Sequence, residues 1–186
     1  NYYYRYTGMD SILYSLLRYN DIDNDNLVRM IENASTNIFG DYLFHISNNK
    51  RIISTNFELF MNNHISTILR ACQAFADVTF VDTHSNNLST QKVLQEADLV
   101  VVNLNQDKKT IVNFFKNYNS IISKSLFLIN NYNTKSNHAI YKLFNSYAID
   151  SFRIATVPYN HEYKDALNSG GLISFLIQNY KSTIEY

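Results

Sequence analysis

The chemistry-bearing residues of this chain begin at Asp82, an acid that ends the short apolar run Val78-Thr79-Phe80-Val81 and is followed by Thr83. A carboxylate at the carboxyl end of a strand can hold the water shell of Mg²⁺ beside phosphates. The plainer alternative is a strand-end acid that caps a loop. Two further runs follow, Leu99-Val100-Val101-Val102-Asn103 and Leu126-Phe127-Leu128-Ile129-Asn130, each short, apolar and ended by a polar residue. Parallel strands covered on both faces read this way when their carboxyl ends open onto a ligand crevice. The expectation is an α/β nucleotide-binding domain.

Other chemistries fit poorly. Thr83-His84-Ser85 lies beside Asp82, but no Gly-x-Ser-x-Gly elbow is present, and adjacent residues at a strand end do not point at one another. The five histidines, at positions 45, 64, 84, 138 and 161, show no paired ligand spacing. Cys72 is the only cysteine; it excludes an intrachain disulfide and sits in an apolar-periodic segment as a small buried hydrophobe.

The elements that must position these residues follow from periodicity. Ile12, Leu13, Leu16 and Leu17 predict a helix ending near residue 19, and Leu27, Val28 and Ile31 predict a second. Tyr42-Leu43-Phe44-His45-Ile46 reads as a strand between Gly40 and the Ser47-Asn48-Asn49 turn. From 55 to 75 the residues Phe57, Met61, Ile65, Ile68, Leu69, Cys72 and Phe75 recur every three or four positions, a long helix expected to pack on a sheet and to lead into a strand over 78–83. Helices are expected near 88–96, 108–122, 137–147 and 163–180, the last broken at Gly170-Gly171, with strands ending at Asn103, Asn130 and Pro158. Regular βα alternation implies a parallel sheet with right-handed crossovers. No internal repeat, linker or second domain stands out, so residues 1–186 are read as one domain.

Composition sets the outer bounds. With 46% hydrophobic residues over 186 positions, the chain suits a globular, soluble domain with a sizeable core. Sixteen basic residues balance sixteen acidic ones, which argues against nucleic acid or anionic lipid as a partner. No apolar stretch reaches transmembrane length and the start Asn1-Tyr2-Tyr3-Tyr4-Arg5-Tyr6 has no signal-peptide core, so a cytoplasmic location is expected. The sequons at Asn33 and Asn87 then read as accidents of an Asn-rich composition. The tyrosines at 2–4 have only Arg5 beside them, too little charge for a base-stacking groove. Leu172-Ile173-Ser174-Phe175-Leu176-Ile177 lacks the basic face of a membrane-surface helix and reads as core.

The order of motifs resembles the ParA/MinD family of P-loop ATPases. Phe80-Val81-Asp82-Thr83 resembles its Asp-Thr switch, and Ala97-Asp98-Leu99-Val100-Val101-Val102 its next strand. Leu128-Ile129-Asn130 is similar to its Leu-Asn strand end, and Val157-Pro158-Tyr159-Asn160 to its Ile-Pro element. Ala166 and Gly170 continue the likeness, which covers roughly residues 75–177, and Gly8-Met9-Asp10-Ser11-Ile12-Leu13 looks like the family's Gly-Leu-x-x-Leu helix. Within the family, the looser match is to the TadZ/CpaE pilus-positioning branch. The resemblance implies a three-layer parallel sheet with helices on both faces, of the P-loop NTPase (SIMIBI) type.

It also implies roles. Asp82 would orient a Mg²⁺-bound water, Thr83 would sense the γ-phosphate of ATP, and Asn130 with the loop of Pro158, Tyr159 and Asn160 would border the adenine. For Asn130 and Asn160, turn chemistry is an equal alternative. Ser85, Asn86 and Asn87 would be loop residues near a homodimer face, and His84 departs from the Pro that commonly follows the Asp-Thr pair. A P-loop needs a Gly-x-x-x-x-Gly-Lys-Ser/Thr spacing. The glycines at 8, 40, 170 and 171 do not supply it, which places the family's P-loop before Asn1 and leaves this stretch without hydrolysis of its own. The function implied is a dimerising partitioning, positioning or assembly switch with a protein partner. The alternatives are a degenerate, non-hydrolysing scaffold in pilus or secretion assembly and, more weakly, a receiver-like signalling domain.

Overall fold

The computed structural model describes residues 9–18, 22–38, 41–43, 57–83, 87–133, 135–136 and 140–184. The tyrosine-rich start, Gly8, Gly40, residues 44–47 and residues 84–86 lie outside them. The chain divides into two compact units, Asn1–Ala97 and Asp98–Tyr186.

The first unit is built from amphipathic helices: α1 (Met9–Arg18), α2 (Asn24–Ala34), α3 (Phe57–Phe75) and α4 (Leu88–Glu96), with a small antiparallel pair β1 (Thr36–Ile38) and β2 (Asp41–Leu43). Asp23 starts α2 by accepting the Asn26 N–H at 2.8 Å, satisfying one of the donors a helix start leaves without a partner. Ser35 ends it in an extended conformation that runs directly into β1. On α3 the buried positions Met61, Ile65, Ile68 and Cys72 follow the helical repeat, and they join Leu27 and Ile31 of α2 and Val93 of α4 in one core.

A periodic stripe records that one face is buried and not what buries it. Among the described residues α3 packs on the apolar faces of α2 and α4, and Phe75 at its end meets Tyr42 of β2 edge-on at 4.7 Å. Polar groups add to the α3–α4 contact. The Lys92 ammonium donates to the Asn62 carbonyl at 2.6 Å, and the Ser66 hydroxyl donates to the Glu96 carboxylate.

The expected strand over 78–83 is not formed. The segment belongs to neither sheet; Val78 is 66% exposed, Phe80 92% and Val81 45%. A short apolar run acquires strand structure only when a neighbouring ladder satisfies its backbone. None does so here.

The second unit carries the βα alternation. Its order is β3 (Val100–Asn105), α5 (Lys108–Asn117), a 3₁₀ turn (Asn119–Lys124), β4 (Ser125–Tyr132), α6 (Ile140–Asn145), a short 3₁₀ turn (Ser151–Arg153), β5 (Ile154–Pro158), α7 (His161–Ser169) and α8 (Leu172–Ile184). The three strands are parallel in the order β3-β4-β5, with Val102 opposite Phe127 and Phe127 opposite Ile154. An α/β unit with a parallel, helix-flanked sheet is therefore present.

One face of the sheet is sealed by aromatic packing. Phe127 of β4 lies 5.5 Å from Phe115 of α5 and 5.0 Å from Phe144 of α6, ring centroid to centroid. Phe127 and Phe144 are fully buried, each burial contributing roughly 1.5–3 kcal/mol. Arg153 joins the starts of two strands by donating to the Ser125 carbonyl from Nε at 3.0 Å and from Nη2 at 2.6 Å, and to the Ile122 carbonyl.

The continuous apolar runs predict cover on both faces, yet β3 alternates buried and exposed positions, and Val101, Leu126 and Ala155 of the opposite face are exposed. Among the described residues no helix is long and apolar enough to cross a membrane.

Candidate functional site

At the carboxyl edge of the second unit's sheet the regular ladder breaks. The β4–β5 register shifts between Ile129 and Tyr132, and Asn131 takes a φ of 53°. That left-handed conformation is open to Asn because its short carboxamide can hydrogen-bond locally. The Asn131 amide donates to Asn105 Oδ1 at 3.4 Å. One residue pair further on, Gln106 and Asn133 clasp: the Asn133 N–H donates to Gln106 Oε1 at 2.7 Å and Gln106 Nε2 returns a bond to the Asn133 carbonyl at 3.3 Å. The ends of β3 and β4 are thus held by carboxamides where the ladder stops.

Beyond β5, Pro158 and Tyr159 lead to Asn160, the N-cap of α7. Its Oδ1 accepts the N–H of Glu162 at 2.8 Å and of Tyr163 at 3.4 Å. The helix runs to Gly170, whose φ of 74° reverses the chain, while the Gly171 N–H returns to the Ala166 carbonyl at 2.9 Å.

These two features border an open cleft of about 510 Å³ whose walls are largely exposed side chains. From the strands it is lined by Asn130, Asn131, Val157 and Pro158. From the loop and α7 come Tyr159, Asn160, Tyr163, Lys164 and Leu167. Tyr159 meets the His161 ring edge-on at 4.6 Å and Tyr163 meets Phe175 at 5.9 Å, contacts that limit both phenols. Lys164 is the one charged residue of the lining.

Four expected site residues, Asn130, Pro158, Tyr159 and Asn160, therefore come together at one cleft. Tyr163, Lys164 and Leu167 were not singled out, although an Asn cap followed by i+3, i+4 and i+7 positions on one helix side was a usable signal. Asn131 left no such trace, because its conformation depends on how the ladder ends.

Asp82 and Thr83 belong to the first unit. Asp82 is exposed on the unpaired segment, and the Thr83 hydroxyl is 2.9 Å from that of buried Thr90 in α4. Asn87, expected as an open loop residue, caps α4 by accepting the Thr90 N–H at 2.8 Å. Among the described residues no group of three or more His, Cys, Asp or Glu side chains could hold a metal ion. A lone exposed carboxylate and an engaged hydroxyl do not by themselves fit a Mg²⁺-phosphate centre. Burial pushes the Cys72 thiol above its ordinary range, as an inert core residue requires.

No protein-family model, curated protein or solved structure matches this chain.

Proposed function

We propose that the chain is a nucleotide-binding protein of ParA/MinD-like type, a dimerising positioning or assembly switch whose base-binding site is the cleft between β4, β5 and α7. One observation carries this reading: the cleft lies at the carboxyl ends of parallel strands, where α/β sheets receive ligands, and two tyrosines and several carboxamides line it. Aromatic faces take planar rings and carboxamides hydrogen-bond their edges. Homodimer formation and ATP enter from the motif order alone, and no Mg²⁺ role is carried over to Asp82, which stands exposed with no cluster of metal-holding side chains among the described residues.

Titration calorimetry with Mg²⁺-ATP and Mg²⁺-GTP tests the proposal. Saturable binding that weakens at least tenfold in Tyr163→Ala supports the cleft. Nucleotide-dependent dimerisation in light scattering supports the switch.

A second reading has its own observation. Thr83 is bonded to Thr90, and Asp82 stands on an unpaired segment, an arrangement suited to a non-hydrolysing scaffold or interaction protein. A folded chain that binds neither nucleotide would favour it.

A further inference from the structure

We propose that the uncovered face of the β3-β4-β5 sheet is a contact between two copies of this chain, in which Phe152 of each copy seats in a depression of the other. The contact needs no ligand and stands apart from the nucleotide reading. Strand register makes the face contiguous: Val101 lies beside Leu126, and Leu128 beside Ala155. With Phe152 and Arg153 they line an open depression of about 160 Å³. Arg153 is the one charged residue of this lining, and its guanidinium is committed to the Ser125 and Ile122 carbonyls. An apolar cavity of about 150 Å³ takes up a benzene ring, so the depression has room for one aromatic side chain. Phe152, in the 3₁₀ turn before β5, is 81% exposed and leaves that room unfilled.

A second copy is the occupant that this face fits, because one chain carries both the protruding ring and the space for it. Since the two lie side by side, a single two-fold axis between them satisfies both at once, the isologous arrangement of most homodimers. Apolar sheet faces stack in this way in two-layer folds, with strands roughly aligned. The area agrees with a dimer of limited strength. A face three strands wide and five residues long, the length of β5, presents roughly 250 Å² by strand spacing and rise. An exposed phenylalanine ring adds on the order of 150 Å². The pair would bury roughly 800–1,000 Å², the size of a weak, reversible interface.

The test is sedimentation velocity of the chain without nucleotide, where a monomer–dimer equilibrium with a dissociation constant on the order of 100 µM is expected. Phe152→Ser removes the ring and Ala155→Phe fills the space; both positions are exposed, so the fold should stay intact by circular dichroism. Each variant alone should associate about tenfold more weakly, the loss of one anchoring side chain. An equimolar mixture should associate more tightly than either, because Phe152 of the Ala155→Phe copy meets the open space of the Phe152→Ser copy and no clash remains on the other side. A chain that stays monomeric to millimolar concentration overturns the proposal. Tighter association in Ala155→Phe overturns it in favour of unspecific apolar adhesion, since that variant only adds apolar surface. A dimer that survives Phe152→Ser and is lost in Phe80→Ser overturns it by moving the contact to residues 78–83.

Discussion

Asn160 shows how a single side chain starts an element. As the N-cap of α7 it satisfies two amides that would otherwise lack partners, which fixes the orientation of its carboxamide. Asn160→Ala should lower stability by about 1 kcal/mol, and Asn160→Asp should stay within a few tenths, read as urea midpoints. Two titrating residues make separable pH predictions. The Thr110 hydroxyl, and then its amide, hold the Asp107 carboxyl below its ordinary value, so the folded chain releases that proton more readily than the unfolded one. The resulting stabilisation is present above the ordinary carboxylate value of 3.8 and is lost as pH falls through the lowered one. Burial beside Phe60 lowers His64 below 6.5, and its ring lies 4.3 Å from that of Phe60. The unfolded chain again binds the extra proton, so stability from this group is complete above pH 6.5 and falls as pH drops through the lowered value. His64→Gln should flatten the mildly acidic limb of a urea-midpoint profile, and Asp107→Asn the strongly acidic limb.

At the scale of elements, residues 78–83 and β4 make the useful contrast, because both are short apolar runs. β4 is paired on both sides and buries Phe127 between Phe115 and Phe144, whereas 78–83 has no ladder and Phe80 is 92% exposed. Phe127→Ala should therefore cost about 3–5 kcal/mol in urea unfolding. Phe80→Ser should change stability by no more than about 0.5 kcal/mol. A loss of several kcal/mol at Phe80 would mean that the segment is buried in solution. Helix α3 carries the complementary lesson: its stripe of Met61, Ile65, Ile68 and Cys72 is buried as periodicity requires, but against α2 and α4.

For the whole molecule, balanced charge and uncovered apolar side chains act together. The sequence isoelectric point is about 7.1, and Val101, Leu126 and Phe152 are exposed on the second unit while Phe80 is exposed on the first. Without net charge there is little repulsion to keep such surfaces apart. Light scattering should show the greatest self-association near neutral pH, and a Lys116→Glu change in the last turn of α5, away from the strands' carboxyl edge, should reduce it there. Unchanged scattering across pH 6–9 would count against this.

Much of the local structure was legible in the chain itself. The helix over 88–96 coincides with α4, the break at Gly170-Gly171 separates α7 from α8, and the strands ending at Asn130 and Pro158 belong to one parallel sheet. These features are set by periodicity, caps and glycine conformation, which act over a few residues. Asn130, Pro158, Tyr159 and Asn160, grouped in the sequence only through the family resemblance, line one cleft because strand carboxyl ends in a βα alternation converge on one edge. What only the tertiary structure decided was pairing: that 78–83 has no ladder among the described residues, that α3 buries its stripe against α2 and α4, and that Asn131 turns left-handed where the β4–β5 register slips. Each depends on which distant backbone or side chain lies alongside, and a local run of residues carries no record of that neighbour.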